Sequence, residues 1–264
     1  MGPKRQQPDG HWGRAFYQPK WTSSHYTLVD LRNLCIPTTP EIKKALALIL
    51  ATSIGPDGGI NPSKDIEQSD VCINGMFLNY GCYFGTDEEK LRSVVDFIVS
   101  QQLADGGFNC RLNRSGARHS SMHSTISVLE GIREYIVAGY AFRAEELNRI
   151  EGEAQEFLLR HRLFKSDHTG AVIHPSFLKL VYPPRWRYDI LRALDYFQSV
   201  GYPYDERLQD ALDILKEKRL SDGRWKTQAH HPGEVHFQME QAGKPSRWST
   251  LRCLRVLEYY DRDA

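Results

Sequence analysis

Three side chains in the first half of the chain have the chemistry of a zinc site. Asp70 and Cys72 are separated by one residue, and His123 follows Cys72 by 51 residues. Carboxylate, thiolate and imidazole are groups that bind Zn²⁺ in proteins, and three protein ligands leave a fourth position open for water or a thiol. The sequence therefore predicts zinc at Asp70, Cys72 and His123, with the fourth position open for a thiol or water.

Each of these residues also has a structural interpretation. Asp70 precedes a predicted helix, where a carboxylate caps backbone amides. Cys72 has the size of a small buried hydrophobic residue, and His123 can bond a backbone carbonyl. Two other groups compete as metal ligands: the pair His119 and His123, one helical turn apart, and the loop group His230, His231, Glu234 and His236. Solvation is the expected state of that polar loop.

A second candidate site is basic and aromatic. Residues 185–188 read Arg-Trp-Arg-Tyr. Guanidinium groups bind a diphosphate, and aromatic rings suit an isoprenoid chain or a developing carbocation. The predicted substrate-binding residues are Arg118, Arg185, Arg187, Tyr188, Trp186 and Trp248. The alternative is a solvated loop in which arginine stems pack on the rings.

Asp189 and His25 are the candidate catalytic residues. Both lie near the start of segments predicted to be helical. In a carbohydrate-active alternative, Asp189 or Glu234 acts as acid or base while Trp248 and Trp186 form platforms for sugar rings. The sequence leaves this alternative open.

A repeat organises the elements that must position these residues. Asp-Gly pairs begin at residues 9, 57, 105 and 222, with a degenerate Asp-His-Thr-Gly at 167–170, in steps of 48, 48, 62 and 55 residues. Amphipathic segments precede the last four, at 39–54, 86–103, 144–164 and 205–220. Pro40 in a first turn, and Thr86 as an N-cap, favour helices there.

A second, less polar segment follows each turn, starting near residues 25, 70, 123, 187 and 248. Alternating outer and inner helices predict an all-α fold, an α/α toroid of five hairpins with the first incomplete, in a single domain over residues 1–264. Aligning the inner helices places His25, Asp70, His123, Arg187 and Trp248 at one register. We therefore expect these side chains to converge at one mouth of the ring.

The repeats resemble a known superfamily. The segments SQQLADGGFNC (100–110) and KEKRLSDGRW (216–225) are similar to the repeats of squalene and hopene cyclases and of protein prenyltransferase β subunits. The resemblance covers nearly the whole chain. It implies the toroid fold, a zinc site matching Asp70, Cys72 and His123, and basic residues that hold a prenyl diphosphate. Related toroids also serve as thioester domains, polysaccharide lyases and glycosidases.

The expected function is binding of an isoprenoid diphosphate, or a similar elongated apolar ligand, in a central cavity, with zinc-assisted prenyl transfer. The chain lacks DDxxD, DxDD and CGEQ motifs, which disfavours metal-cluster ionisation, protonation-initiated cyclisation and thioester chemistry. The alternatives are a carbohydrate-active toroid and a non-catalytic toroid that binds a ligand or a protein.

Composition bounds the environment and the partners. With 34 Lys and Arg against 33 Asp and Glu, the net charge of +1 predicts no nucleic-acid partner. Five scattered cysteines and no apolar run long enough for a signal peptide or membrane span predict a cytoplasmic protein.

The first hairpin is expected to be incomplete. Only 24 residues precede the predicted helix at His25, and they include Pro3, Pro8 and Pro19. Because proline disrupts helices, no outer helix is predicted there, and the first inner helix should expose an apolar flank. That flank predicts a homo-oligomer or a helical partner subunit.

Overall fold

A computed structural model describes residues 6–63, 66–228 and 231–261, apart from the side chains of Asn113 and Arg114. In these ranges the chain forms ten α-helices and one pair of short strands. The helices are α1 (Ser24–Asn33), α2 (Pro40–Thr52), α3 (Val71–Tyr83), α4 (Glu88–Ser100), α5 (Leu112–Ser115), α6 (Met122–Val137), α7 (Ala144–Arg160), α8 (Ile190–Ser199), α9 (Gln209–Glu217) and α10 (Arg247–Asp261). The prediction of an all-α fold is confirmed.

Local sequence signals explain the helix starts. Thr39 caps α2 by accepting the Ile42 N–H at 3.4 Å, and Pro40 occupies the first turn. One prediction was wrong by one residue: α4 begins at Glu88 with Asp87 as N-cap, so Thr86 does not cap it. Thr86 is instead buried.

The Asp-Gly repeats are tight turns. Gly10, Gly58, Gly106 and Gly223 have φ of +109°, +82°, +95° and +83°, a region that favours glycine. Each glycine N–H donates to the carbonyl three residues earlier, at 2.9 to 3.0 Å. In the second and third turns the aspartate carboxylate also accepts hydrogen bonds from the serine before the next inner helix, at Ser69 and Ser120. In these two repeats the aspartates therefore stabilise the loops.

A second contact ties four of these turns to the following inner helix. The residue three positions after each aspartate donates its backbone N–H to a side chain of that helix. The pairs, with their distances, are Trp12 and Ser24 (2.9 Å), Ile60 and Asn74 (2.6 Å), Phe108 and Thr125 (3.0 Å), and Trp225 and Thr250 (3.0 Å). We call Ser24, Asn74, Thr125 and Thr250 the latch residues.

The chain divides into two compact units, with the division inside α7. Unit 1 is Met1–Ala154 with Gly233–His236, and its centre is α3, which packs against α1, α4 and α6. Gly75 and Gly131 allow α3 and α6 to approach closely: a Cβ on Gly75 would lie 2.5 Å from the Ser127 carbonyl oxygen. Asn79 also donates to the Glu130 carbonyl at 2.8 Å.

Unit 2 is Gln155–Pro232 with Phe237–Ala264. Here α8 packs against α9 and α10, and the strands β1 (Trp225–Lys226) and β2 (Pro245–Ser246) pair antiparallel. Asp195 of α8 accepts a hydrogen bond from Arg252 of α10 at 2.9 Å and one from Arg255 Nε at 3.1 Å. Ion pairs therefore link these two inner helices.

The N-terminal segment confirms one prediction and corrects another. Residues 6–23 contain no α-helix, as predicted, and only a 3₁₀ turn at Lys20–Thr22. The predicted apolar flank on α1 is wrong, because every residue from 24 to 31 is buried. Trp12, Phe16 and Trp21 are themselves buried; the Phe16 and Trp21 rings contact His25 and Tyr26 of α1. These aromatic side chains cover α1 in place of an outer helix.

Exposed apolar side chains occur on the last inner helix instead. Leu251 and Leu254 of α10 are 56% and 42% exposed. The homo-oligomer and the helical partner subunit stay predictions. In the described part of the chain, no helix is both long enough and apolar enough to span a bilayer.

Candidate functional site

Cys72 of α3 lies beside Cys110, which follows the third Asp-Gly turn. The Cys72 N–H, at the start of α3, donates to the Cys110 sulfur at 3.2 Å, and the Ser124 hydroxyl donates to the same sulfur at 3.4 Å. The Cys110 N–H in turn donates to Ser124 at 3.1 Å. Since the Phe108 N–H binds Thr125, the turn and α6 together hold the Cys110 thiol against α3.

The pKa values of the two thiols are shifted in opposite directions. A hydrogen bond from the Cys72 thiol lowers the pKa of Cys110, and the same bond together with burial raises the pKa of Cys72. The Asp70 carboxylate raises the pKa of both thiols to a smaller extent, because a second negative charge nearby is unfavourable. Cys110 is therefore the thiol that ionises more readily.

The predicted zinc ligands do not form a metal-binding group in this structure. Asp70 is the half-buried N-cap residue of α3, and His123 is half-buried in the first turn of α6. Among the residues that the structure describes, no three or more His, Cys, Asp or Glu side chains are arranged to hold a metal. The thiol beside Cys72 belongs to Cys110, which the zinc prediction did not include. Zinc binding stays a prediction.

The latch residues explain why the predicted register fails. His123 lies two residues before its latch residue Thr125, but Asp70 lies four residues before Asn74. The residue of α3 at the position equivalent to His123 is therefore Cys72. The predicted alignment therefore displaced α3 by two positions, and α1 by three, because His25 follows its latch residue Ser24 by one residue.

The competing histidine groups also have defined places. His119 is exposed, and its carbonyl accepts a hydrogen bond from Asn109 at 2.8 Å. His236 Nε2 lies 2.9 Å from the Thr27 hydroxyl, in unit 1, whereas His231 Nε2 lies 3.3 Å from the Pro184 carbonyl, in unit 2. His230 lies outside the described residues.

His25, a predicted catalytic residue, is fully buried in an aromatic cluster. Its Nδ1 lies 3.1 Å from the Tyr80 hydroxyl, and its ring contacts those of Phe16, Tyr17 and Tyr26 at 4.8 to 5.4 Å. Its Nε2 is buried without a hydrogen-bond partner among the described residues. Burial lowers the pKa of His25 to about 3, so the imidazole is neutral at physiological pH.

Unit 1 also contains a cavity of about 650 Å³. It is lined by residues of segments 11–18 and 52–63 and by Ile66, and none of the predicted site residues is among them. Phe16 forms part of its wall and contacts the His25 ring at 5.4 Å between centroids. The volume lies within the range of small-molecule sites.

Two pairs of basic and aromatic side chains in unit 2 each include a residue that is at least partly exposed. The Arg187 guanidinium is exposed and lies 5.2 Å from the centre of the half-buried Trp186 ring. The half-buried Trp248 stacks on Tyr182, with centroids 5.2 Å apart and planes inclined by 13°. We call these two pairs, Trp186 with Arg187 and the buried Tyr182 with Trp248, the aromatic–arginine surface.

The other predicted residues of unit 2 are buried. Arg185 is 5% exposed, with φ of +54°, and Tyr188 is 2% exposed and donates its hydroxyl to the Leu163 carbonyl at 2.6 Å. Asp189 caps α8 by accepting the Arg192 N–H at 2.8 Å, and its second oxygen accepts the Val181 N–H at 3.4 Å. Burial raises the pKa of Asp189, opposed by nearby Arg252.

Arg118 is exposed and belongs to unit 1, between α5 and α6. Sequence reasoning missed two residues of the unit 1 site, Cys110 and Tyr17. Burial raises the pKa of Tyr17, with smaller contributions from Asp70 and both thiols, which lie near it. No spacing signal marks either residue, because their positions depend on how loops cross the N-termini of α1 and α3.

Comparison with known proteins finds distant structural similarity. The chain is similar to the type II terpene cyclase MstE from Scytonema in its apo form, with 12% identity, 96% of this chain and 93% of that chain covered, and a TM-score of 0.38. It is also similar to a variant of that enzyme in complex with geranylgeranyl dihydroxybenzoate, with 11% identity, 97% and 92% coverage, and a TM-score of 0.37. No protein-family profile matches the chain. No curated protein matches it by sequence.

Proposed function

We propose that the chain binds a prenyl diphosphate, or a similarly elongated apolar ligand with an anionic head, at the aromatic–arginine surface of unit 2. The observation that supports this most directly is the pairing of Arg187 with Trp186. An exposed guanidinium lies 5.2 Å from the centre of an indole ring that is itself only half-buried. The Arg187 side chain is therefore accessible to a ligand beside a ring that is itself partly exposed.

This pairing matches the two halves of a prenyl diphosphate. A guanidinium donates paired hydrogen bonds to phosphate oxygens, while an indole face buries isoprenoid carbons and stabilises positive charge that develops on them. Trp248, stacked on Tyr182, offers a second ring held in a fixed orientation. A ligand bound here would have its head on Arg187 and its chain along the rings.

The carbohydrate alternative has less support. Of its two candidate acids, Asp189 and Glu234, the first is buried and its carboxylate accepts two backbone N–H groups. A general acid must reach the glycosidic oxygen. We therefore favour the isoprenoid ligand.

Zinc-assisted prenyl transfer is a separate prediction, which rests on the sequence alone. Elemental analysis of protein purified without added metal tests it separately. About one zinc per chain, lost in Cys72→Ser, supports the ligand set. Zinc-free protein with an intact fold removes zinc but leaves the proposal for unit 2 unaffected.

Calorimetric titration with geranylgeranyl diphosphate tests the proposed ligand. We expect saturable binding that weakens with salt and falls by about tenfold or more in Arg187→Ala, because one charge-assisted contact is lost. Arg219→Ala is a matched control, since Arg219 lies 5.4 Å from the centre of Trp225, a ring that is fully buried.

Titration with each half of the ligand shows whether both the head and the chain contribute to binding. Geranylgeraniol and inorganic diphosphate should each bind more weakly than the whole molecule. Equal affinity in Arg187→Ala and wild type, or no binding at high micromolar ligand, would refute the proposed site.

A further inference from the structure

We propose that Cys72 and Cys110 form a peroxide-reactive dithiol site, in which oxidation joins the two residues through a reversible disulfide bond. This site lies in unit 1 and is independent of the ligand proposed for unit 2. It concerns a modification of the protein, and it rests on the position of one sulfur relative to α3 and α6.

The geometry brings the two residues within disulfide range. The Cys72 nitrogen lies 3.2 Å from the Cys110 sulfur. Because the N–Cα bond adds about 1.5 Å, the Cα atom of Cys72 is at most about 4.7 Å from that sulfur. The Cys72 thiol is also hydrogen-bonded to the Cys110 sulfur, so the two sulfur atoms are already neighbours, as formation of an S–S bond requires.

The surroundings of Cys110 favour its thiolate. Its sulfur accepts hydrogen bonds from the Cys72 N–H and from the Ser124 hydroxyl. The first donor is an amide at the N-terminus of α3, a helix of 13 residues. Donors at a helix start stabilise negative charge on sulfur, and a thiolate is the form that attacks peroxide. Both cysteine residues are half-buried and their thiols are largely shielded, so the proposed oxidant is a molecule as small as hydrogen peroxide.

The reaction balances with hydrogen peroxide as the oxidant. The Cys110 thiol first loses its proton, and the thiolate attacks one peroxide oxygen, forming an S–O bond while the O–O bond breaks; water leaves and a sulfenic acid remains. The Cys72 sulfur then attacks the Cys110 sulfur, forming the S–S bond and releasing a second water. Two thiols lose two electrons in total, and one peroxide becomes two waters.

The remaining cysteines make the site selective. Cys82 and Cys253 are buried, and burial raises the pKa of each thiol. Cys35 is exposed, and no disulfide partner lies beside it among the described residues. One intramolecular bond, between Cys72 and Cys110, is therefore the expected product.

This bond would fix the loop that leads into α6. Cys110 precedes α5 and the segment that carries Arg118, whereas Cys72 belongs to the first turn of α3. Closing this loop of 38 residues restricts the unfolded chain. Oxidised protein should therefore melt at a higher temperature than reduced protein.

Mass spectrometry of the full chain tests the site. Reduced protein is treated with one to several equivalents of hydrogen peroxide, alkylated under native and then denaturing conditions, and digested. We expect two of the five thiols to become unreactive, a loss of two mass units, and a cross-linked peptide pair containing residues 72 and 110, all reversed by dithiothreitol.

Variants sharpen this result. Cys35→Ser should behave as wild type, whereas Cys110→Ser should abolish the intramolecular bond and leave Cys72 open to alkylation. The proposal is overturned if wild-type protein gives only sulfinic acid at Cys110, if the bond involves another cysteine, or if all five thiols survive. These outcomes are read on the wild-type chain and do not depend on the folding of a variant.

Discussion

The two units hold their inner helices together in different ways. In unit 1, α3 and α6 meet through Gly75 and Gly131, where backbone contacts backbone. In unit 2, α8 and α10 are linked by ion pairs from Asp195 to Arg252 and Arg255. Glycines allow a close backbone junction in unit 1, whereas charged side chains link the two helices in unit 2.

The two units also differ in how exposed their candidate functional side chains are. Around α1 and α3, His25 is fully buried in an aromatic cluster and the two thiols bond each other. Near the ends of α8 and α10, rings and Arg187 stay partly exposed. The thiol chemistry that we propose therefore lies in unit 1, and the ligand site that we propose lies in unit 2.

The largest expected effect is at the glycine junction. A Cβ on Gly75 would lie 2.5 Å from the Ser127 carbonyl oxygen, a backbone atom that cannot rotate away. We expect Gly75→Ala to lower the free energy of unfolding by about 3 kcal/mol or more, measured by urea denaturation. Gly152→Ala is the control, because Gly152 lies exposed in α7 with no atom near its Cβ position. It should be neutral or stabilising by up to about 1 kcal/mol. Equal effects of the two would refute the close junction.

The ion pairs should give the next largest effect. The Asp195 and Arg252 side chains are only 17% and 12% exposed, so Asp195→Ala leaves a cation with little access to water. We expect a loss of about 2 to 3 kcal/mol in unfolding free energy. Arg255 is 50% exposed, and Arg255→Ala should cost less than about 1 kcal/mol. A larger loss in Arg255→Ala than in Asp195→Ala would contradict the assignment.

The latch residues let the same contact be compared in both units. Thr125→Val and Thr250→Val keep the side-chain shape but remove the acceptor for the Phe108 and Trp225 N–H groups. Each should lower stability by roughly 1 to 2 kcal/mol, since a backbone donor loses its partner. Thr52→Val, on the exposed end of α2, should change it by less than about 0.5 kcal/mol. Latch variants as mild as Thr52→Val would show that the hydrogen bonds contribute little.

The smallest effect concerns pH. Burial lowers the pKa of His25 to about 3, below the value of 6.5 for an exposed histidine. Below pH 6.5 the unfolded chain therefore binds a proton that the folded chain does not, and stability falls as pH decreases towards 3. The slope approaches about 1.4 kcal/mol per pH unit.

Urea denaturation at pH 7.5, 6.5 and 5.5 measures this effect. His25→Gln should lose this part of the pH dependence. His168→Gln, at a side chain 89% exposed, should retain it. If His25→Gln and wild type change in parallel from pH 7.5 to 5.5, His25 is not the group responsible.

Local signals predicted the elements of this fold because they act over a few residues. Thr39 and Pro40 mark the start of α2, and the glycine at each Asp-Gly pair fits the positive φ of its turn. The predicted outer segments contain α2, α4, α7 and α9. Each predicted segment is several residues longer than the helix that it contains. Turn residues extended those segments, since apolar periodicity does not show where hydrogen bonding ends.

The sites were less predictable because they depend on contacts between distant segments. Cys110 lies 38 residues from Cys72, and only the crossing of its loop over the start of α3 brings them together. The side chains of Trp12, Phe16 and Trp21 likewise pack over α1. The prolines of this segment predicted the absence of a helix, but they could not predict this packing. By contrast, Arg187 and Trp186 are adjacent in sequence, so their pairing was within reach of sequence reasoning.

Photoaffinity labelling tests the proposed ligand site most directly. A photoreactive geranylgeranyl diphosphate analogue is crosslinked to the full chain, and labelled peptides are mapped with and without excess unlabelled diphosphate. We expect protected labelling within residues 180–190 and 244–252, around the aromatic–arginine surface. Labelling confined to segments 11–18 and 52–66, which line the cavity of unit 1, or labelling that excess ligand does not reduce, would contradict it.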